Sequence, residues 1–104
     1  MMYGTVAHMK LKPGMEEQVI QTMKSFEAQH VPGFITTYCY RMDTDAHDYY
    51  VAVVFASKET YWANAKSPEQ DARYKQLRSL LTDDPEWHDG EIAYVARGAA
   101  VGNV

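Results

Sequence analysis

The stretch SKETYWANAKSPEQDARYKQLRSLL, residues 57–81, contains two helix starts in close succession. Ser57 can cap the first helix, and Ser67 followed by Pro68 marks the start of the second, with Gln70 placed as a capping box requires. Because Pro68 restricts Ser67 to extended geometry, the two helices cannot merge into one. The stretch predicts a helix, a break and a second helix, and we expect this pair to form one wall of any pocket.

Upstream of this pair the sequence predicts three strands and one long helix. Residues 2–11 show short alternation with β-branched side chains, which predicts a first strand. Apolar residues recur at spacings of three and four over residues 15–30, which predicts the helix. Residues 34–42 predict a second strand, and because neither of its faces is purely polar we expect both to be covered. Residues 49–56 are apolar throughout and predict a central third strand. The polar residues 43–48 predict the turn of an antiparallel hairpin between them.

Downstream of the pair the pattern predicts one more strand. Residues 82–90 predict a loop and residues 91–97 predict the strand. Residues 98–104 predict a loose tail, and the length of the chain predicts a single domain over residues 1–104. The order β-α-β-β-α-α-β predicts an α+β fold of ferredoxin-like topology, a four-stranded antiparallel sheet with helices on one face. The other face retains apolar side chains, so we expect a second copy of the chain to cover it.

Composition and charge exclude several classes of protein. The net charge is −4 at pH 7, so no basic surface indicates nucleic-acid binding. No apolar run approaches the roughly 20 residues of a membrane span. The single cysteine, Cys39, excludes an internal disulfide framework, and its mid-strand position predicts a buried, inert thiol. Because the start of the chain lacks the basic and apolar regions of a signal peptide, we expect a cytoplasmic protein.

Four short segments that punctuate this pattern resemble a known family. They are KPG at residues 12–14, VPGF at 31–34, VFASKE at 54–59 and SPE at 67–69. In this order they resemble the antibiotic biosynthesis monooxygenase domain of the dimeric α+β barrel superfamily, and the resemblance covers roughly residues 2 to 97. The segments are turns, a strand end and helix starts, so they bear on the fold more than on a substrate.

The resemblance implies a homodimer whose two sheets form a dimeric α+β barrel, with a pocket between helices and sheet in each subunit. Known members oxidise quinol- or anthrone-like aromatics with molecular oxygen and without a bound metal or flavin, because an electron-rich phenolate can itself reduce oxygen. The protein then supplies a pocket, a base and exclusion of water. We therefore expect a monooxygenase, a cofactor-independent oxidoreductase that acts on a small aromatic substrate.

One branch of the family degrades haem, and three positions test for it. Its members resemble one another in an asparagine on the first strand, a tryptophan shortly before the second helix start and a histidine within that helix. An ungapped placement puts Ala7, Asn64 and Tyr74 at these positions, with Trp62 two residues from the tryptophan position. Because no histidine lies between residues 67 and 81, the haem-ligand position is unmatched and this activity is disfavoured.

Five side chains are candidates for the implied pocket. His8 could be the general base or an ordinary strand histidine. Trp62 could stack on a flat ligand or pack its helix onto the sheet, and Asn64 could hydrogen-bond the substrate or lie on the surface. Tyr74 lies on the inward stripe of its helix, so its hydroxyl needs a partner in the substrate or in the protein. Tyr38 is a further candidate for the wall, with core or dimer packing as the alternative.

Other residues that carry chemistry form no recognisable motif. The histidines, His8, His30, His47 and His88, are scattered without the spacing of a metal site. The segment 87–89 predicts a loop at the dimer edge, from which His88 could reach a site. No glycine-rich phosphate loop or nucleophile elbow is present in the sequence.

Three alternatives to an oxygenase remain open from the sequence. The same pocket could hold a small molecule without turnover, as in a binding or stress-related barrel, or as in an isomerase it could act without oxygen. The chain could also be a structural dimer without a real cavity. The richness in tyrosine argues against this last reading, because hydroxyl groups without partners are costly inside a core.

Overall fold

The computed structural model describes residues 1–98. They contain three helices and four strands in the predicted order. Residues 99–104 of the predicted tail lie outside the described residues. The elements are β1 (Tyr3–Lys10), α1 (Glu16–Ala28), β2 (Phe34–Met42), β3 (Asp45–Phe55), α2 (Lys58–Ala65), α3 (Pro68–Arg78) and β4 (Glu86–Glu91). The strands form one antiparallel sheet in the order β2-β3-β1-β4, which confirms the predicted α+β, ferredoxin-like topology. No helix in the described part is both long and apolar enough to cross a membrane.

Both helices of the pair begin at the predicted serines. The Ser57 hydroxyl accepts a hydrogen bond from the backbone N–H of Thr60, and the Thr60 hydroxyl accepts one from the backbone N–H of Ser57. The Ser67 hydroxyl accepts from the backbone N–H of Gln70 at the start of α3. The Gln70 side chain, predicted to complete a capping box there, instead contacts side chains of the neighbouring helix turns. The reciprocal capping box therefore belongs to α2.

The core lies between the helices and one face of the sheet. The register pairs Ala7 with Val51 and Met9 with Tyr49, and these four residues are buried on the helix side of β1 and β3. Val19 of α1 packs into the same cluster. Burial of each large apolar side chain stabilises the folded state by about 1.5 to 3 kcal/mol. The apolar run of β3 therefore takes a central place in the sheet, as predicted.

The strand β3 is longer than the sequence indicates. It begins at Asp45, so the hairpin turn consists of residues 43 and 44 and not of the predicted 43–48. The backbone carbonyl of His47 accepts a hydrogen bond from the N–H of Leu11 at 2.8 Å, and Asp48 pairs with Lys10. The polar side chains that predicted a turn do not prevent pairing, because the ladder is made by backbone groups.

The last strand lies in the segment predicted as a loop. It covers Glu86–Glu91 and not residues 91–97, and residues 92–98 have no regular structure. All six side chains of β4 are exposed, so the strand lacks the apolar alternation by which strands are recognised. Backbone pairing with β1 places it at the sheet edge, with Trp87 opposite Ala7 and Asp89 opposite Thr5. Charged side chains are typical of such edge strands.

The sheet face opposite the helices is exposed and rich in aromatic residues. Val6, Tyr38 and Tyr40 are 48%, 56% and 55% exposed, and Tyr50 lies directly opposite Tyr40. The predicted cover on both faces of β2 is therefore missing within residues 1–98. Exposed aromatic and aliphatic side chains on one face are typical of surfaces that interact with another molecule.

Candidate functional site

A cavity of about 690 Å³ opens between the helices and the sheet. Its volume falls in the range of roughly 300 to 1,000 Å³ that is usual for small-molecule sites. Trp62, Asn64 and Tyr74, which the sequence suggests for the pocket, line it together with Trp87 and Asp89 of β4. The helical pair forms one wall of this cavity, and the sheet forms the floor.

Aromatic rings supply most of the wall. Trp62, Tyr61, Phe55, Phe34 and Phe26 form a chain of edge-to-face contacts, with consecutive ring centres 5.1, 5.7, 5.8 and 5.0 Å apart. On another side the rings of Tyr74 and Trp87 lie 6.3 Å apart. Aromatic faces and edges offer apolar area with defined geometry at low entropic cost. The arrangement suits a flat, apolar ligand.

One part of the cavity wall is polar and is formed by Thr5, Tyr61 and Asp89. The Tyr61 hydroxyl donates a hydrogen bond to Oδ1 of Asp89 at 2.8 Å. Burial, and after it the hydrogen bond to Asp89, raises the pKa of Tyr61 well above its ordinary range, so the hydroxyl keeps its proton. The Thr5 hydroxyl oxygen is buried close to the Tyr61 hydroxyl; it makes no hydrogen bond of ordinary geometry within residues 1–98, and its proximity lowers the pKa of Tyr61 by less than burial and Asp89 raise it. The exposed Asp89 carboxylate, and not the Thr5 hydroxyl, is therefore the polar group of this part of the wall that a ligand can reach.

A second polar group surrounds Asn64. Oδ1 of Asn64 accepts a hydrogen bond from Nη2 of Arg73 at 3.0 Å, and Oε1 of Gln70 accepts one from Nε of Arg73 at the same distance. Nδ2 of Asn64 donates to Oε1 of Gln70 at 3.4 Å. The guanidinium lies over the Phe26 ring, 4.9 Å from its centre. These contacts hold the Asn64 amide in one orientation at the cavity wall.

His8 and Tyr38 lie on the opposite face of the sheet. The neighbours of His8 on β1 face the helices, so His8 points away from them. Its Nε2 atom hydrogen-bonds the Asp48 carboxylate, and its ring stacks on Tyr50 with centres 4.5 Å apart. Tyr38 is exposed on the same face. The sheet separates both residues from the cavity, so the structure does not bring them together with Trp62, Asn64 and Tyr74.

Cys39 lies on the helix side of β2 and lines the cavity. The thiol is half-buried, and burial raises its pKa, against a smaller opposing effect of the Arg41 charge. A raised pKa lowers the fraction of reactive thiolate. The thiol is thus half-buried and not fully buried as predicted, and its inertness stays a prediction.

Sequence reasoning missed Tyr61, Asp89 and Arg73. The segment 87–89 was predicted as a loop at a dimer edge, whereas strand alternation turns Trp87 and Asp89 toward the cavity and His88 to the other face. The signal that could have found Asp89 is its spacing of two from Trp87. Tyr61 and Arg73 carry no such signal, because each stands beside a more conspicuous aromatic residue.

Comparisons with known proteins agree with this architecture. The family model for antibiotic biosynthesis monooxygenase matches residues 2–76. No curated protein matches the sequence significantly. A variant of SnoaB, a cofactor-independent oxygenase from Streptomyces nogalater, superposes with a TM-score of 0.77 at 14% identity, covering 90% of this chain and 95% of that one.

Two further solved structures are similar. A protein from Caulobacter crescentus CB15 that is named for the same family gives a TM-score of 0.76 at 18% identity, covering 89% of this chain and 91% of that one. A second protein named for this family, from Chloroflexus aurantiacus J-10-fl, gives a TM-score of 0.70 at 21% identity, covering 98% of this chain and all of that one. At these identities the structural likeness concerns the fold alone.

Proposed function

The chain belongs to the antibiotic biosynthesis monooxygenase family, and from that premise we propose that it oxidises a small quinol- or anthrone-like aromatic with molecular oxygen. One observation carries the proposal: the cavity joins an aromatic wall to a hydrogen-bonded Tyr61–Asp89 pair. The wall holds a flat substrate, and the pair supplies the proton acceptor that such chemistry needs.

The reaction needs only the substrate and oxygen as reactants. Removal of a proton from a phenol or an activated ring carbon leaves an electron-rich anion that can pass electrons to oxygen. For an anthrone-like substrate, the ring CH2 group loses two hydrogens and gains one oxygen atom as a carbonyl. The second oxygen atom leaves with the two hydrogens as water, so atoms and electrons balance. The part of the protein is to bind, deprotonate and shield the substrate.

Asp89 is the proposed base. Its Oδ1 atom is engaged by the Tyr61 hydroxyl, and its Oδ2 atom makes no side-chain hydrogen bond within residues 1–98. Tyr61 cannot take the proton itself, because its raised pKa keeps it protonated, so it orients the carboxylate instead.

The remaining candidates bind the substrate. We assign Trp62 and Tyr74 to the cavity wall, where their rings stack against a flat ligand. Asn64 donates a hydrogen bond to a substrate or oxygen-derived atom, with its orientation fixed by Arg73. We assign no such role to His8 or Tyr38, which lie across the sheet.

Oxygen uptake by purified, metal-free protein tests this function. A panel of hydroquinones, anthrones and naphthols is added, and uptake is compared with buffer alone. We expect protein-dependent uptake that falls at least about tenfold in Trp62→Ala, since a lost aromatic contact of 1.4 kcal/mol is a factor of ten. The matched control is His8→Ala, which alters the far face of the sheet and should retain full uptake. Uptake that is lost in His8→Ala and kept in Trp62→Ala would contradict this site.

Binding without turnover is the second candidate function. It is favoured by the exposure of every side chain on β4, Asp89 included, because an exposed base excludes water poorly. The two functions differ in one outcome. A ligand that binds in the cavity and is recovered unchanged in the presence of oxygen would favour the binding function.

The exposed sheet face leads to a separate proposal, that two copies of the chain pair through it as the dimeric barrel requires. We expect light scattering to give twice the 11.9 kDa mass of one chain. Tyr40→Asp should yield monomers, because it buries a charge without a partner in the interface. Tyr94→Asp is the control, since Tyr94 is exposed and lies outside the sheet. A wild-type monomer, or a dimer that survives Tyr40→Asp, would contradict this.

A further inference from the structure

The guanidinium of Arg73 lies at the cavity wall and contacts only neutral acceptors. Nε and Nη2 donate to amide oxygens of Gln70 and Asn64, both at 3.0 Å, and Nη1 donates to the amide oxygen of Gln29. A guanidinium carries five N–H groups. Within residues 1–98, two of them therefore have no acceptor.

The charge of Arg73 is not neutralised in the described part of the chain, where it forms no salt bridge. Arg78, on the same helix, shows the contrast, with Nε 2.6 Å from the Asp84 carboxylate. Two acidic residues of the cavity wall make their contacts away from Arg73: Asp71 pairs with Lys75, and Asp89 accepts a hydrogen bond from the Tyr61 hydroxyl, which leaves the Asp89 charge in place. The remaining charged residues of the wall, Lys24 and Glu27, are of opposite sign and exposed, so solvent screens both.

The guanidinium is also held in place before any ligand arrives. Three amide oxygens fix its plane, and the Phe26 ring supports it at 4.9 Å. An arginine immobilised in this way loses little entropy when it binds a further group. Because the site is partly buried, its interaction with an anion is stronger than the same contact in water.

We propose that Arg73 makes this cavity selective for aromatic ligands that carry an anionic group, a carboxylate or a phenolate, placed against its two unoccupied N–H donors. This rests on the proposed function and narrows its substrate class. The aromatic wall binds the rings, and Arg73 fixes the end of the ligand that bears the charge. The acidic group then lies on the Asn64 side, and the carbon or hydroxyl to be deprotonated turns toward Asp89.

A purely structural role is the competing explanation. Arg73 joins Gln29 at the end of α1 to Asn64 in α2, and would in that case only tie helix ends together. That role predicts a loss of thermal stability on substitution and no selectivity between charged and neutral ligands.

Binding of two matched ligands separates the explanations without requiring turnover. Calorimetry with 1-naphthoate and 1-naphthamide compares an anion with a neutral ligand of similar shape. We expect wild-type protein to bind the naphthoate about tenfold or more tightly, in keeping with a charge-assisted hydrogen bond. Arg73→Gln should bring the two dissociation constants within about twofold, and Arg78→Gln, the same substitution outside the cavity, should leave the preference intact.

Each other outcome overturns the proposal. Equal affinities in wild-type protein would do so whether or not the variant folds, and would leave the proposed oxidation untouched. A naphthoate preference that survives Arg73→Gln, accompanied only by a lower melting temperature, would identify a structural role. Binding of neither ligand would contradict both this proposal and the use of the cavity for aromatic substrates.

Discussion

Replacing Asp89 with asparagine is expected to lower the turnover number for a quinol or anthrone by roughly 10²- to 10⁴-fold, the contribution usual for a general base. Asparagine fills the same space and can still accept the Tyr61 hydrogen bond, but it cannot take a proton. The substrate therefore binds, and the Michaelis constant should change little. Oxygen-uptake kinetics at varied substrate concentration measure both quantities.

The matched control is Glu86→Gln, which removes a carboxylate from the same strand on the other side of the sheet. Glu86 lies opposite His8 in the register and faces away from the cavity. We expect wild-type kinetics in this variant. Unchanged turnover in Asp89→Asn would show that Asp89 is not the base, and would indicate that the substrate loses its proton to solvent.

The largest loss of stability is expected for Gly4→Ala. A Cβ added at Gly4 would lie 1.8 Å from the backbone oxygen of Val53, in the pairing of the two central strands. Backbone atoms cannot move aside as a flexible side chain can, so β1 and β3 must separate locally. We expect the free energy of unfolding, measured by urea denaturation, to fall by about 3 kcal/mol.

Gly90→Ala is the control for this substitution. Gly90 lies opposite Gly4 on β4, and a Cβ there would meet nothing within 4 Å. Its effect should stay within about 0.5 kcal/mol. A Gly4→Ala variant as stable as wild type would mean that the central strands pair less closely than described.

Local signals in the sequence were enough to predict the helical pair and the order of the elements. Ser57 and Ser67 act as caps because their hydroxyls accept backbone N–H groups that have no partner inside the helix. The apolar run of β3 favoured a central place in the sheet. Such features depend on neighbours in the sequence, and the fold class followed from their order.

The candidate site could be predicted only in part, because it depends on contacts distant in sequence. Asp89 reaches Tyr61 only once β4 pairs with β1, and the exposed side chains of β4 do not indicate a strand. The face on which His8 lies is fixed by a register that alternation in β1 leaves ambiguous, since a shift of one residue reverses it. Trp62 and Tyr74 were predictable because large aromatic residues on helices beside a break tend to contact the neighbouring elements, although both remain partly exposed to solvent in the cavity wall.

The most direct measurement is an NMR titration with 1-naphthol under exclusion of oxygen, so that the ligand binds without being consumed. The chain contains two tryptophans, and Trp62 and Trp87 both line the cavity, so their two indole N–H signals report on it specifically. We predict that both indole signals shift, together with the backbone amides of Tyr61 and Asn64. Unchanged indole signals, with shifts confined to Tyr38 and His8 on the other face, would contradict the placement of the active site between the helices and the sheet.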